Sequence, residues 1–174
     1  MPEWIPTERS AKGRLTLRAF DAFASDDFDT VNVVALCADA GVTTGTLYHH
    51  FGNKLGLYEV VRSEVERRLL DRMEGALAAM PVGSPALAST STRAALLIGF
   101  DYVAGAGFAR LLCVEHPGSV VDPIQKWLSG VLDAGVVPIA QVLIAAWRRA
   151  LRAVADGIEP KAARAAIERL TFTL

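Results

Sequence analysis

The sequence is poor in the residues that build stapled, metal-held or polyanion-covering proteins. Only two of its 174 residues are cysteine, Cys37 and Cys113. They stand far apart among apolar neighbours, which fits neither a disulfide framework nor a zinc spacing, so both are expected to be packing residues. No apolar run reaches the roughly 18 residues that cross a bilayer, because Arg, Asp or Glu interrupts each candidate. The opening MPEWIPTERSAKGR lacks the basic-then-apolar order of a signal peptide, and a cytoplasmic location is expected. Excess positive charge is missing too. The net charge is −1, and residues 1–60 hold five cations against eight acids, a balance of −3. That counts against a broad polyanion-binding surface while leaving room for a small, well-placed one.

What is present is apolar and helical. Apolar residues make up 52% of the chain, and a mean hydropathy of +0.30 is high for a soluble chain of this length. Extra apolar surface is therefore expected to be buried, against a partner subunit or around an apolar ligand. Alternation with period two is almost absent and there is no internal repeat, so the expected fold class is all-α.

Helix 1 is expected from Thr7 or Ser10 to Ala24, with Leu15, Ala19, Ala22 and Phe23 on one face. Helix 2 follows Asn32, a good N-cap, and ends at Gly41, where a left-handed residue fits. Thr43 caps helix 3, Thr44 to Phe51. Helix 4 begins after Gly52-Asn53, carries Leu57, Val61, Val65, Leu69, Met73 and Leu77 at four-residue steps, and ends by Met80-Pro81. The stretch PVGSPALASTS reads as a loop. Helix 5 is then expected over Thr92 to Ala106, helix 6 over Phe108 to Glu115, helix 7 over Pro123 to Leu132, helix 8 over Pro138 to Ala155, and a last helix from Pro160 to about Phe172. The expected architecture is an N-terminal three-helix head with a helix-turn-helix, residues 1–53, joined by a long helix to a C-terminal bundle, residues 54–174.

The stretch AGVTTGTLYHHFGNKLGLY carries the chemistry. Reading duplex DNA requires a rigid element with short polar side chains in the major groove, about 12 Å wide, while its neighbours hold phosphates. With Leu47 and Phe51 turned inward, helix 3 presents Thr43, Thr44, Gly45, Thr46, Tyr48 and His49 outward. Threonine offers a hydroxyl for phosphates or base edges and a methyl for thymine, and Gly45 permits close approach. Lys54 adds a cation near the start of helix 4. Together with Asn32 these residues form the expected DNA-binding set. His49 and His50 point about 100° apart on a helix, and neither has a Cys, Asp or Glu four residues on, so no metal site is expected. His50 is expected to pack within the head.

From about residue 10 to 58, without gaps, the sequence resembles the DNA-binding domain of TetR-family transcriptional regulators. The resemblance rests on Phe23-Ala24, Ala40-Gly41-Val42, Gly45-Thr46-Leu47-Tyr48, His50-Phe51 and Lys54. It implies a homodimeric regulator, usually a repressor, that binds a near-palindromic operator through helix 3 of each subunit. It also implies that a small molecule among helices 4 to 7 tilts helix 4 and changes the spacing of the heads, and that the last two helices form the dimer. Thr44 stands where a Lys or another long polar residue is common in that family, Val34 where Arg or Lys is frequent, and Asp27 where Gly is usual. Fewer cations imply a shallower salt dependence, since each neutralised phosphate contributes about −0.9 to the slope.

Candidate ligand-binding residues are Met73, Phe100, Asp101, Tyr102, Phe108, Arg110, Leu112, His116 and Trp127, the polar ones serving to orient a small apolar or amphipathic effector. Candidate dimer-interface residues are Ile139, Val142, Leu143, Ala146, Trp147, Ala150, Leu151 and Val154 on helix 8, with Ala163, Ile167 and Leu170 on the last helix. Ordinary packing within one subunit accounts for the same patterns. No cofactor is expected. The rival to a regulator is an all-helical carrier or enzyme whose N-terminal helices are only structural. Against an enzyme, the chain shows no paired carboxylates at useful spacing, no connectable Ser-His-acid grouping and no phosphate-cradling glycine loop.

Overall fold

The computed structural model describes residues 7–80, 85–115, 122–132 and 138–170. They are helical, with no strand among them. The helices are α1 (Ala11–Ser25), α2 (Val33–Asp39), α3 (Thr44–Phe51), α4 (Lys54–Ala78), α5 (Pro85–Gly105), α6 (Ala109–Leu112), α7 (Pro123–Leu132), α8 (Ile139–Ala155) and α9 (Pro160–Glu168). The chain divides into two compact units, residues 1–64 and 65–174, with the division inside α4.

In the first unit, local side chains start every helix. The Ser10 hydroxyl accepts from the Gly13 amide at 2.9 Å to open α1. The Asn32 side-chain oxygen accepts from the amides of Val34 and Ala35 at 2.8 and 3.1 Å to open α2. Thr43 accepts from the Thr46 amide at 3.3 Å ahead of α3, and Asn53 from the Gly56 amide at 2.8 Å ahead of α4. Each contact satisfies donors that a helix N-terminus leaves open. Two glycines stop the short helices. Gly41 and Gly52 have φ of +61° and +77°, where a Cβ would be strained. Leu15, Ala19, Phe23, Leu36, Leu47 and Leu57 close the core of this unit. An aromatic trio completes it, with the Tyr58 ring edge-on to Phe23 at 4.9 Å and to Phe28 at 5.1 Å.

The second unit is held by long-range side-chain contacts. The buried Trp147 indole N–H of α8 donates to the Leu96 carbonyl of α5 at 3.0 Å. Arg148 pairs with Asp122, both side chains being about nine-tenths buried, while the Asp122 carboxylate also accepts from the first amides of α7. Asp101 on α5 takes the Arg164 Nε of α9 on both its oxygens, at 2.8 and 3.0 Å. Gly99 lets α5 approach α4 so closely that a Cβ there would come within 2.8 Å of Leu69 and 2.9 Å of the Met73 sulfur.

Three boundaries differ from the sequence reading. α5 starts at Pro85, seven residues before the expected Thr92. Pro is well placed in a first turn, and one of the Ser letters that suggested a loop, Ser89, is packed inward. α6 is one turn, Ala109–Leu112, and does not reach Glu115. α9 ends at Glu168 with a turn at Arg169, short of the expected Phe172, which itself lies outside the described residues.

Candidate nucleic-acid interface

α3 is only eight residues long, and its orientation within the head is fixed from one side. Leu47 is fully buried and Phe51 half-buried, which turns Tyr48, 58% exposed, to the opposite face. Thr43, Gly45 and His49 are exposed on that face, and Thr44 and Thr46 are half-buried at its start. The Thr43 and Thr46 hydroxyls lie 3.2 Å apart and hydrogen-bond to each other. An added Cβ on Gly45 would meet only the Thr43 hydroxyl, at 3.5 Å, so the helix surface there is low and open.

The turn between α2 and α3 is clamped from outside. The Arg14 guanidinium of α1 donates from Nε to the Ala40 carbonyl at 3.1 Å and from Nη2 to the Gly41 carbonyl at 3.5 Å. A cation thus covers carbonyls left open at the end of α2. The contact spans 26 residues and carries no local sequence signal.

Lys54 is half-buried. Its ammonium donates to the Asp29 carbonyl at 3.2 Å and sits 4.7 Å from the centre of the Phe28 ring, so it is already oriented. His50 departs from expectation. It is exposed rather than packed, with its ring 4.8 Å from His49 and 6.2 Å from Phe51, since the half-buried Phe51 already occupies the inward position. Among the described residues no group of three or more His, Cys, Asp or Glu is arranged to hold a metal.

The structure gathers most of the candidate ligand-binding residues in the second unit. Met73, Phe100 and Leu112 are fully buried, and Tyr102, Phe108 and Trp127 half-buried. The polar members are engaged elsewhere. Asp101 is taken by Arg164, and Arg110 donates to the Ala155 carbonyl at 2.7 Å. Tyr102 lies beneath the Arg72 guanidinium at 3.9 Å. His116 lies outside the described residues. Buried polar atoms that sequence reasoning passed over are the Thr92 hydroxyl, the Arg93 Nε and the Arg148 Nε, none with a hydrogen-bond partner among the described residues. The burial of Arg148 goes with its Asp122 pair, which helical spacing does not announce.

The candidate dimer residues split by exposure. Leu143, Trp147 and Leu151 are buried within their own subunit, Ile139 and Val154 are half-buried, and Val142 is 62% exposed. Ala146, Ala150, Ala163, Ile167 and Leu170 line an open apolar groove of about 340 Å³ between α8 and α9, together with Arg149, Ala153 and Ala166. Of the cysteines, Cys37 is buried, which pushes its thiol above the ordinary value, whereas Cys113 is half-buried with its Sγ donating to the Arg110 carbonyl at 3.2 Å.

Comparison with known proteins matches residues 16–61 to the family described as bacterial regulatory proteins, tetR family. The match covers most of α1, all of α2 and α3, and the first turns of α4. No curated protein gives a match. A fatty acid degradation regulator, FadR, from Bacillus halodurans superposes with a TM-score of 0.71 at 15% identity, over 91% of this chain and 93% of that one. A candidate transcriptional regulator from Pseudomonas aeruginosa PAO1 superposes with a TM-score of 0.56 at 20% identity, over 90% and 86%. At these identities the likeness is one of fold. The sequence match, over residues 16–61, gives the head its likeness to the tetR-family regulatory proteins.

Proposed function

We propose that this chain, starting from a tetR-family head, works as a homodimeric repressor that a small apolar or amphipathic ligand releases from its operator. The observation that carries the reading is the one-sided setting of α3. Its inward face is spent on Leu47, and its outward face is a low ridge of Thr, Gly, Tyr and His with no acidic residue on it. That is the shape and chemistry a major groove admits. Tyr48, His49 and Lys54 serve as phosphate contacts, and Thr43, Thr44, Gly45 and Thr46 face the bases.

The head comprises residues 1–53, and residues 54–174 bind the ligand and form the dimer. Support for twofold assembly comes from the α8 and α9 groove. Its alanines allow close helix approach, and its apolar lining beside the exposed Val142 calls for cover by a second copy. Two copies then present two α3 helices to one inverted repeat. The effector is held in the second unit by Met73, Phe100, Tyr102, Phe108, Leu112 and Trp127. The name of the Bacillus halodurans protein makes amphipathic acids the first class to try. Ligand binds better to the conformation whose heads are misplaced for consecutive grooves, which lowers operator affinity by population shift. The chain acts by binding alone, without catalysis.

The test is selection of bound fragments from randomised duplex DNA by the purified protein at two salt concentrations. Enrichment of an inverted repeat is expected, with Tyr48→Ala losing affinity at unchanged melting temperature. A helical carrier or enzyme with a purely structural head would enrich nothing, even at low salt.

A further inference from the structure

Direct readout of a base in the major groove ordinarily uses Arg or Lys against guanine and Asn or Gln against adenine. α3, with the sequence TGTLYHHF, contains none of the four. α2, with the sequence VVALCAD, contains none either. Asn32 at its start has its side-chain oxygen committed to the amides of Val34 and Ala35. Two nearby cations are also occupied, Arg14 on the Ala40 and Gly41 carbonyls and Lys54 on the Asp29 carbonyl and the Phe28 ring.

The hydroxyls of Thr43 and Thr46 are committed as well. Thr43 accepts from the Thr46 amide, and the two hydroxyls bond each other at 3.2 Å. A hydroxyl with a partner gains less from a base edge than a free one, whereas a methyl can meet another apolar group without breaking a hydrogen bond. Val34, in the first turn of α2, is 66% exposed, the most exposed of the large apolar side chains among the described residues. Against a phosphate its methyls would strip water from a charge and return nothing. Against an apolar group on a base they would gain by excluding water.

Thymine is the base that presents such a group in the major groove, its C5-methyl. We infer that the head recognises its operator through thymine 5-methyl groups, with the Thr46 methyl and the Val34 side chain as the apolar contacts. The inference rests on the reading that α3 enters the major groove. It assigns specificity to two side chains whose usual description would be a polar surface residue and a stray hydrophobe.

The experiment starts from the inverted repeat that the protein selects and replaces its thymines one at a time by deoxyuridine, which removes the methyl and keeps every hydrogen-bonding group. A burial of one methyl corresponds to about a 4-fold change in affinity. Losses of about that size are expected at discrete positions of each half-site. Thr46→Ser retains the hydroxyl and its bonds, and Val34→Ala retains the helix. Each is expected to weaken binding to the thymine operator and to show no further loss on uracil at its own position.

A uracil response that is flat at every position overturns the inference and leaves the regulator reading standing. So does a Thr46→Ser variant whose loss is the same with thymine and uracil throughout. A protein that selects no sequence overturns the regulator reading itself, and this inference with it.

Discussion

The two units of the chain are specified by different physics. In residues 1–64 each of the four helix starts has its own cap, Ser10, Asn32, Thr43 or Asn53, within three residues of the amide it serves. In the second unit α6, α8 and α9 begin without any side-chain cap, and their positions follow from partners distant in sequence, Trp147 with Leu96 and Asp101 with Arg164. A capped helix announces its limits locally. A helix placed by packing does not.

The comparison breaks most visibly at Asp122, where, among the described residues, the second unit combines a cap with a distant partner. Asp122→Ala removes both and leaves the Arg148 guanidinium buried without its counter-charge, which is expected to cost about 3–5 kcal/mol. Urea unfolding followed by circular dichroism measures it, and Asp122→Asn, which keeps a capping oxygen, is expected to recover part of the loss. A loss under about 1 kcal/mol would mean that the pair contributes little to this unit.

Next comes the head. Leu47 is fully buried on an eight-residue helix, so Leu47→Ala is expected to cost about 3 kcal/mol through lost transfer energy and a residual cavity. DNA binding should fall in proportion to the unfolded fraction, and binding at low temperature should recover. A thermal melt read alongside DNA binding separates this from the loss of a contact.

The smallest effects sharpen the contrast most. Asn32→Ala removes two cap bonds and is expected to destabilise by about 1 kcal/mol. Glu159→Ala, at the corresponding position before α9, removes no cap bond and is expected to stay within about 0.5 kcal/mol of the parent. Equal losses at the two positions would erase the distinction between the units.

The same contrast explains what was legible. Asn32, Gly41, Thr43 and Gly52 are local signals, and α2 and α3 lie where those letters place them. The limits of α7, with Pro123 in its first turn, were legible for the same reason. α5 starts earlier than its letters suggest because Ser, Thr and Pro in PVGSPALASTS are loop letters by composition, and only the inward packing of Ser89 shows otherwise. The outward face of α3 could be read from Leu47 alone. The Arg14 clamp and the engagement of Lys54 could not, because each joins residues about 25 positions apart through a backbone carbonyl, and a carbonyl belongs to every residue type. Asp101 and Arg110 drew attention as charged residues in an apolar neighbourhood, yet tertiary partners had already taken them.

The indole of Trp147 equips the molecule with an optical gauge. It is 1% exposed and hydrogen-bonded to a buried carbonyl, so its emission belongs at the blue end of the tryptophan range and out of reach of aqueous quenchers. Trp127 is half-buried in the same unit, and residues 7–64 contain no tryptophan. The third indole, Trp4, belongs to the N-terminal stretch, so with Trp4→Phe the intrinsic fluorescence follows the second unit alone.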